Sequence, residues 1–259
     1  MSGGDFLYFD SHAHYDDGQF DGDRDALLAS LPAGGVDHVV DPSQDAATAR
    51  AAAALAERYP HVYFAAGYHP HEAAAMDEAG YAEIVRLLAH PKCVAVGEIG
   101  LDYHYDFSPR DVQNAVFRRM LALAGETGKP AVVHDREATA DTLAALRGSP
   151  GVRGVVHCYS GSWETARELL AMGWYLSFTG VVTFKNARRV LETVEKIPAD
   201  RYMIETDAPY MAPEPHRGER NSSLLLPHIA RRIAAVRGVD EETVARESRE
   251  NALRFFGLA

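Results

Sequence analysis

The sequence predicts an α/β fold, a (β/α)8 TIM barrel, and three observations carry that expectation. Eight short runs rich in β-branched and aromatic residues alternate with longer amphipathic stretches, the pattern of a parallel sheet with crossover helices. Histidines and carboxylates stand at the ends of five of those runs, and in a closed parallel barrel every strand C-terminus opens onto one face. The 259 residues match the about 250 that such a barrel occupies, so one domain spanning 1–259 is expected. A doubly wound open sheet explains the alternation equally well. Its ligands would gather at one switch point, however, whereas here runs one, four, five, six and eight all contribute.

Taken in order, the first run lies near residues 7–10 and the second near 37–40, followed by a helical stretch at 46–59 that Pro60 stops. The third, near 62–66, precedes a helix at 81–90 stopped by Pro91, and the fourth, near 93–97, precedes a long helix at 110–128 closed by Gly128. Runs five (131–134), six (154–157) and seven (174–178) are followed by helices at 138–146, 162–172 and 187–196. The Gly and Pro stops are those that helix termini require. After the eighth run, 202–205, a Pro-rich stretch at 209–215 reads as a loop at the barrel mouth, with helices at 224–237 and 241–256 behind it.

Composition narrows the function. With 26 Lys and Arg against 37 Asp and Glu, the formal charge is −11, which repels a polyanion unless a local patch or bound cations reverse the field. Tight nonspecific duplex binding is therefore not expected. Cys93 and Cys158 each border an apolar run, which fits small residues in a reducing compartment better than a secreted disulfide framework. Met1-Ser2-Gly3-Gly4-Asp5 lacks the basic and apolar pattern of a leader, and no run nears the ~18 apolar residues of a membrane span. A cytoplasmic protein with no membrane partner, expected as a monomer, follows.

The ligand-type residues are His12, His14, Glu98, His134, His157 and Asp207. In extended backbone, residues two apart point to one side, so His12 and His14 can bind one ion. Glu98 follows small apolar residues, where a buried carboxylate without a cation is costly to desolvate; an ion pair with an arginine is its alternative. His134 and His157 end two consecutive runs, which neighbouring parallel strands would set side by side. Asp207 could instead cap a turn before Pro209. Four histidines and two carboxylates exceed one tetrahedral ion, so two divalent ions are the natural reading. Mg²⁺, Mn²⁺ and Zn²⁺ all suit mixed imidazole and carboxylate donors.

Several blocks resemble those of the TatD family of metal-dependent deoxyribonucleases: Asp10-Ser11-His12-Ala13-His14, Gly67-Tyr68-His69-Pro70-His71, Gly97-Glu98-Ile99-Gly100-Leu101-Asp102-Tyr103, His157-Cys158-Tyr159-Ser160-Gly161, Glu205-Thr206-Asp207-Ala208-Pro209-Tyr210 and Arg217-Gly218-Glu219-Arg220-Asn221. The resemblance implies a TIM barrel related to the amidohydrolases. It further implies that His12, His14 and Asp207 bind one metal, that His134 and His157 bind a second, and that Glu98 bridges the two. Ala13 stands where many relatives have Cys, Ser222-Ser223 where Pro is usual, and Tyr68 where a branched aliphatic is.

Such a site suits attack by activated water on a phosphodiester. Asp207 is positioned in sequence to accept the nucleophile's proton. Glu205, two residues earlier, is a candidate to hold a ligand histidine in place or, as the resemblance implies for some relatives, a metal ion, and His69 to bind a phosphate oxygen or orient water. Arg217 and Arg220 are candidates for phosphate forks, and Tyr103, with Tyr105 and Phe107, for stacking on unpaired bases. The expected substrate is DNA, as single strands or 3′ ends, degraded 3′ to 5′. The alternatives are an ester or amide hydrolase on the same site, such as an aminoacyl-tRNA deacylase or a small-molecule amidohydrolase, and a binding protein braced by its ions.

Overall fold

The computed structural model describes residues 6–259; Met1–Asp5, on which the expectation about a leader rests, lie outside them. One sheet takes eight strands in sequence order. They are β1 (Tyr8–Asp10), β2 (Val36–Pro42), β3 (Val62–Ala66), β4 (Cys93–Asp102), β5 (Ala131–Arg136), β6 (Gly154–Val156), β7 (Tyr175–Phe178) and β8 (Tyr202–Ile204). Helices α1 (Arg24–Ser30), α2 (Ala46–Arg58), α3 (Glu78–Leu88), α4 (Arg110–Thr127), α5 (Thr139–Arg147), α6 (Trp163–Ala171) and α7 (Arg188–Lys196) alternate with them, and α8 (Leu226–Arg237) and α9 (Glu241–Phe256) follow. The eighth strand returns to the first through a parallel bridge between Ala13 and Ala208, which makes the fold the (β/α)8 barrel.

The described chain falls into two units. Residues 6–40, Cys158–Ala171 and Tyr175–Ala259 form one, and Asp41–His157 with Met172–Trp174 the other. In the first unit, β1 pairs with the start of β2 and β7 with β8, both in parallel. Beyond the ends of β1 and β8 the ladder continues: Asp207 N–H donates to His12 O at 2.9 Å and His14 N–H to Ala208 O at 2.7 Å. Phe9 is buried between His38 and Phe256, its ring centroid 5.1 and 5.7 Å from theirs, a contact that fastens α9 under β1. Burying one such ring contributes about 1.5–3 kcal/mol.

In the second unit, β3, β4, β5 and β6 pair side by side in parallel. Local chemistry sets the helix ends there. Asp45 and Thr48 form a reciprocal cap at the start of α2, and Asp77 accepts from Gly80 N–H to start α3. Among the described residues, two element boundaries depart from expectation in ways that move the site. β4 runs ten residues, so Glu98 sits inside it rather than at its end. His134 likewise sits inside β5, because Ile99, Gly100, Leu101 and Asp102 continue the ladder against Val133, His134, Asp135 and Arg136. Backbone pairing does not require the apolar run to continue. Gly100 makes this pairing possible: its φ is +146°, and a Cβ there would lie 2.0 Å from the carbonyl oxygen of His134. Neither cysteine is in a disulfide, and no helix among the described residues is long and apolar enough to cross a membrane.

Candidate functional site

The first unit presents one group of donors. His12 and His14 follow β1 and are buried, as is Asp207 after β8. The Nε2 atoms of the two histidines are 3.2 Å apart, and they lie 3.7 and 3.5 Å from Asp207 Oδ1. Donors bound at about 2.1 Å to one ion sit about 3.0 Å apart at right angles and about 3.4 Å apart at the tetrahedral angle, so this triangle has the size of a cation's coordination edge. Asp207 reaches it with φ +56°, a left-handed conformation that aspartate tolerates better than most residues.

Under this group lies a polar brace. Asp10 is fully buried and accepts from Thr206 N–H at 2.9 Å, Thr206 Oγ1 at 2.5 Å and Ser223 Oγ at 2.6 Å. Burial pushes its carboxyl up to about 7 although those hydrogen bonds oppose the shift. Glu205 is also buried; it accepts from Cys158 N–H at 2.6 Å, Ser177 Oγ at 2.5 Å and Ser11 Oγ at 3.3 Å. Its place is therefore beside the backbone that carries His12, holding strand ends in register.

The second unit presents another group. Glu98 Oε1 lies 2.9 Å from His134 Nδ1, 2.7 Å from His157 Nε2 and 3.5 Å from His69 Nε2, with the His134 and His157 nitrogens 3.3 Å apart. The 3.3 and 3.5 Å spacings match a coordination edge, while those of 2.7 and 2.9 Å are hydrogen-bond lengths that would have to open slightly around an ion. His69 does double duty, since its Nδ1 accepts from His71 N–H at the start of a 3-10 turn. His134 Nε2 faces Asp102 Oδ2 at 3.1 Å, which His71 Nε2 approaches at 3.0 Å. A carboxylate on the far nitrogen of a ligand histidine fixes its ring and tautomer. Burial would raise the Asp102 carboxyl, but the hydrogen bonds from His134, the Tyr105 N–H and His71 hold it well below the usual carboxylate range. Burial opposes protonation of His134 as well, and its two carboxylate partners outweigh that and raise it. Asp102 is absent from the candidates read off the sequence; the available signal was its position four residues after Glu98, on the same side of an extended strand.

The candidate substrate residues divide. Arg220 commits its fork to Asp23, at 2.7 and 2.6 Å, and to Gln19 O at 2.9 Å. Arg217 stacks on Phe184 at 3.8 Å and donates to Ala212 O at 3.2 Å. Tyr103 lies beneath the Arg110 guanidinium, at 4.3 Å, with its hydroxyl donating to Asp141 at 2.6 Å and accepting from Asn114 at 2.7 Å. The more open aromatic surface is Phe107, 68% exposed, whereas Tyr105, 47% exposed, carries the Arg136 guanidinium over its ring at 4.6 Å. Their rings stack on each other at 5.2 Å and 24°, with His71 edge-on to both.

The chain is similar to known proteins in both sequence and fold. Residues 9–257 match the model of the family described as TatD related DNase. The chain is 43% identical over 254 residues to the uncharacterised metal-dependent hydrolase YabD of Bacillus subtilis, across 97% of this chain and 100% of that one. It is 37% identical over 260 residues to a protein of Cronobacter sakazakii named 3′-5′ ssDNA/RNA exonuclease TatD, across 96% and 97%. In three dimensions it is similar to the crystal structure of YJJV, a TatD homologue from Escherichia coli K12, with a TM-score of 0.91 and 27% identity over 97% of this chain and 98% of that one.

Proposed function

The chain belongs to the TatD family of metal-dependent hydrolases, and from that premise we propose that it removes nucleotides from the 3′ ends of single-stranded DNA. The observation that carries the reading is the pair of donor groups, each of two imidazole nitrogens and a carboxylate at the spacing of a coordination shell. We assign one divalent ion, Mg²⁺, Mn²⁺ or Zn²⁺, to His12, His14 and Asp207 and another to Glu98, His134 and His157. The exonuclease name of the Cronobacter relative supports the choice of bond.

When bound, divalent ions supply Lewis acidity: they neutralise a phosphate and bring the ionisation of water toward neutral pH. The residues do the rest. Asp207 accepts the proton of the attacking water as the P–O3′ bond breaks, and the departing 3′ oxygen of the shortened strand takes up a proton in return. Asp102 keeps the His134 ring turned so that Nδ1 faces Glu98. Phe107, backed by Tyr105, offers stacking surface to an unpaired terminal base, which is worth about 1–3 kcal/mol per base and is indifferent to sequence. That surface is what supports single strands over an intact duplex.

The test is end-labelled single-stranded DNA incubated with and without chelator, beside a charged tRNA. A ladder shortening by single nucleotides from the 3′ end, abolished by chelator, is the expected result. Cleavage of the aminoacyl ester with no attack on DNA would replace the nuclease by an ester hydrolase on the same residues.

A further inference from the structure

Within the first unit, the loops after β7 and β8 border a cavity of about 610 Å³, inside the ~300–1,000 Å³ range of small-ligand sites. Lys185, Arg188 and Arg232 line it together with Phe184, His228 and Glu214. Three cations against one carboxylate run counter to a chain whose net charge is −11. Three other guanidinium groups of this unit are held in ion pairs, Arg220 by Asp23 at 2.6 Å, Arg231 by Glu241 at 2.8 Å and Arg249 by Asp37 at 2.5 Å. Lys185 and Arg188 are exposed and have no carboxylate partner among the described residues. Arg232 uses its Nε on Val182 O at 3.3 Å, which leaves its Nη groups for a ligand.

The placement of Arg188 adds to this. It opens α7, whose first turn holds no acidic residue, so a cation sits at the positive end of a helix dipole where it is destabilising. A bound anion offsets both. Phe184 contributes a flat apolar wall, backed by Arg217 at 3.8 Å. The loop from Asp207 to Glu214 is seven residues long, so the cavity wall lies within about 25 Å of that ligand group.

We propose that this cavity binds the sugar–phosphate backbone of a single nucleic-acid strand, at nucleotides inward from the 3′ end being removed. The inference rests on the nuclease reading above and deepens it: the cavity sets a preference for polynucleotides over short fragments. With a charge of three minus one, it engages about two phosphates.

The experiment compares the wild type with the Lys185→Glu/Arg188→Glu double variant on an oligo-dT 15-mer, a dT dinucleotide and bis(p-nitrophenyl) phosphate. The expected outcome is a roughly tenfold rise in KM for the 15-mer, with kcat and hydrolysis of the two short substrates unchanged. Binding of a cleavage-resistant phosphorothioate 15-mer should weaken in parallel, and its log–log salt slope should fall by about 1.4, or about 0.7 per phosphate contact. Lys185→Arg/Arg188→Lys should bind as the wild type does. Lys185→Gln/Arg188→Gln, checked by circular dichroism, should fall between the wild type and the Glu variant. Unchanged KM and binding in the Glu variant would overturn the proposal, as would dTMP binding as tightly as the 15-mer. If the wild type cleaves no DNA yet binds the phosphorothioate strand through these two charges, the cavity stands and the nuclease reading falls.

Discussion

Replacing Asp102 by Asn isolates the role of a carboxylate that backs His134. Its Oδ2 lies 3.1 Å from His134 Nε2 and 3.0 Å from His71 Nε2. Its Oδ1 accepts from the N–H groups of His104 and Tyr105 at 3.0 and 2.9 Å. The amide keeps the volume and one oxygen but carries no charge, so it can satisfy the backbone donors or face His134 with the right polarity, not both. Losing a carboxylate behind a ligand histidine costs about 10–100-fold in metal affinity, or about 1.4–2.7 kcal/mol. The variant should therefore need about 10–100 times more Mn²⁺ or Zn²⁺ for half-maximal binding by titration calorimetry, with activity recovering at saturating metal. Because hydrogen bonding holds the Asp102 carboxyl below its ordinary 3.8, its contribution in the wild type is present above that value and is lost only as pH falls through the depressed one. An Asp102→Asn protein that binds metal like the wild type would show that the His134 ring is oriented by something else.

Other perturbations follow from the same geometry. In Gly100→Ala the new Cβ meets the His134 carbonyl oxygen at 2.0 Å with φ at +146°, so overpacking and backbone strain together should cost about 2–5 kcal/mol in urea unfolding and lower activity with it. Lys92 Nζ lies 2.7 Å from the carbonyls of Ala56 and Tyr59 and 3.0 Å from those of Pro60 and Val62, closing the C-terminal end of α2. Lys92→Met should lower stability by about 1–3 kcal/mol, read as a Tm drop of a few degrees. Asp37, paired with Arg249 at 2.5 Å and His38 at 3.0 Å, is held below its ordinary value by those partners against the opposing effect of burial. Asp37→Asn should cost about 1 kcal/mol at neutral pH, and the gap from wild type should close as pH falls below 3.8 and through the depressed value.

The eight strands were legible because each is a short run rich in β-branched, aromatic or other apolar residues between longer amphipathic stretches, a signal that depends on neighbours in sequence alone. Helix α1 was not read, since the seven residues Arg24–Ser30 span too few turns to display a period. The C-terminal half of β4 was not read either: Glu98 and Asp102 interrupt the apolar pattern while the ladder to β5 carries on beneath them. Periodicity reports what a side chain faces. It is silent about a backbone that keeps pairing while its side chains turn polar.

The same division runs through the site. A histidine two residues from another declares itself in sequence, and His12 and His14 do bring their Nε2 atoms to 3.2 Å. Asp207 in a turn before proline is ambiguous in sequence, and what distinguishes a turn cap from a ligand is where the carboxylate points. Its Oδ1 lies 3.5 Å from His14 Nε2, at a φ of +56° that no local pattern announces. The arginines were the least legible, because what decides their use is a partner far away in sequence. Arg220 meets Asp23 across 197 positions, and a guanidinium whose fork is already filled at 2.6 Å must give up that pair before it can grip a phosphate. Lys185 and Arg188 have no carboxylate partner among the described residues, so the anion-binding role proposed for them requires no ion pair to be broken first.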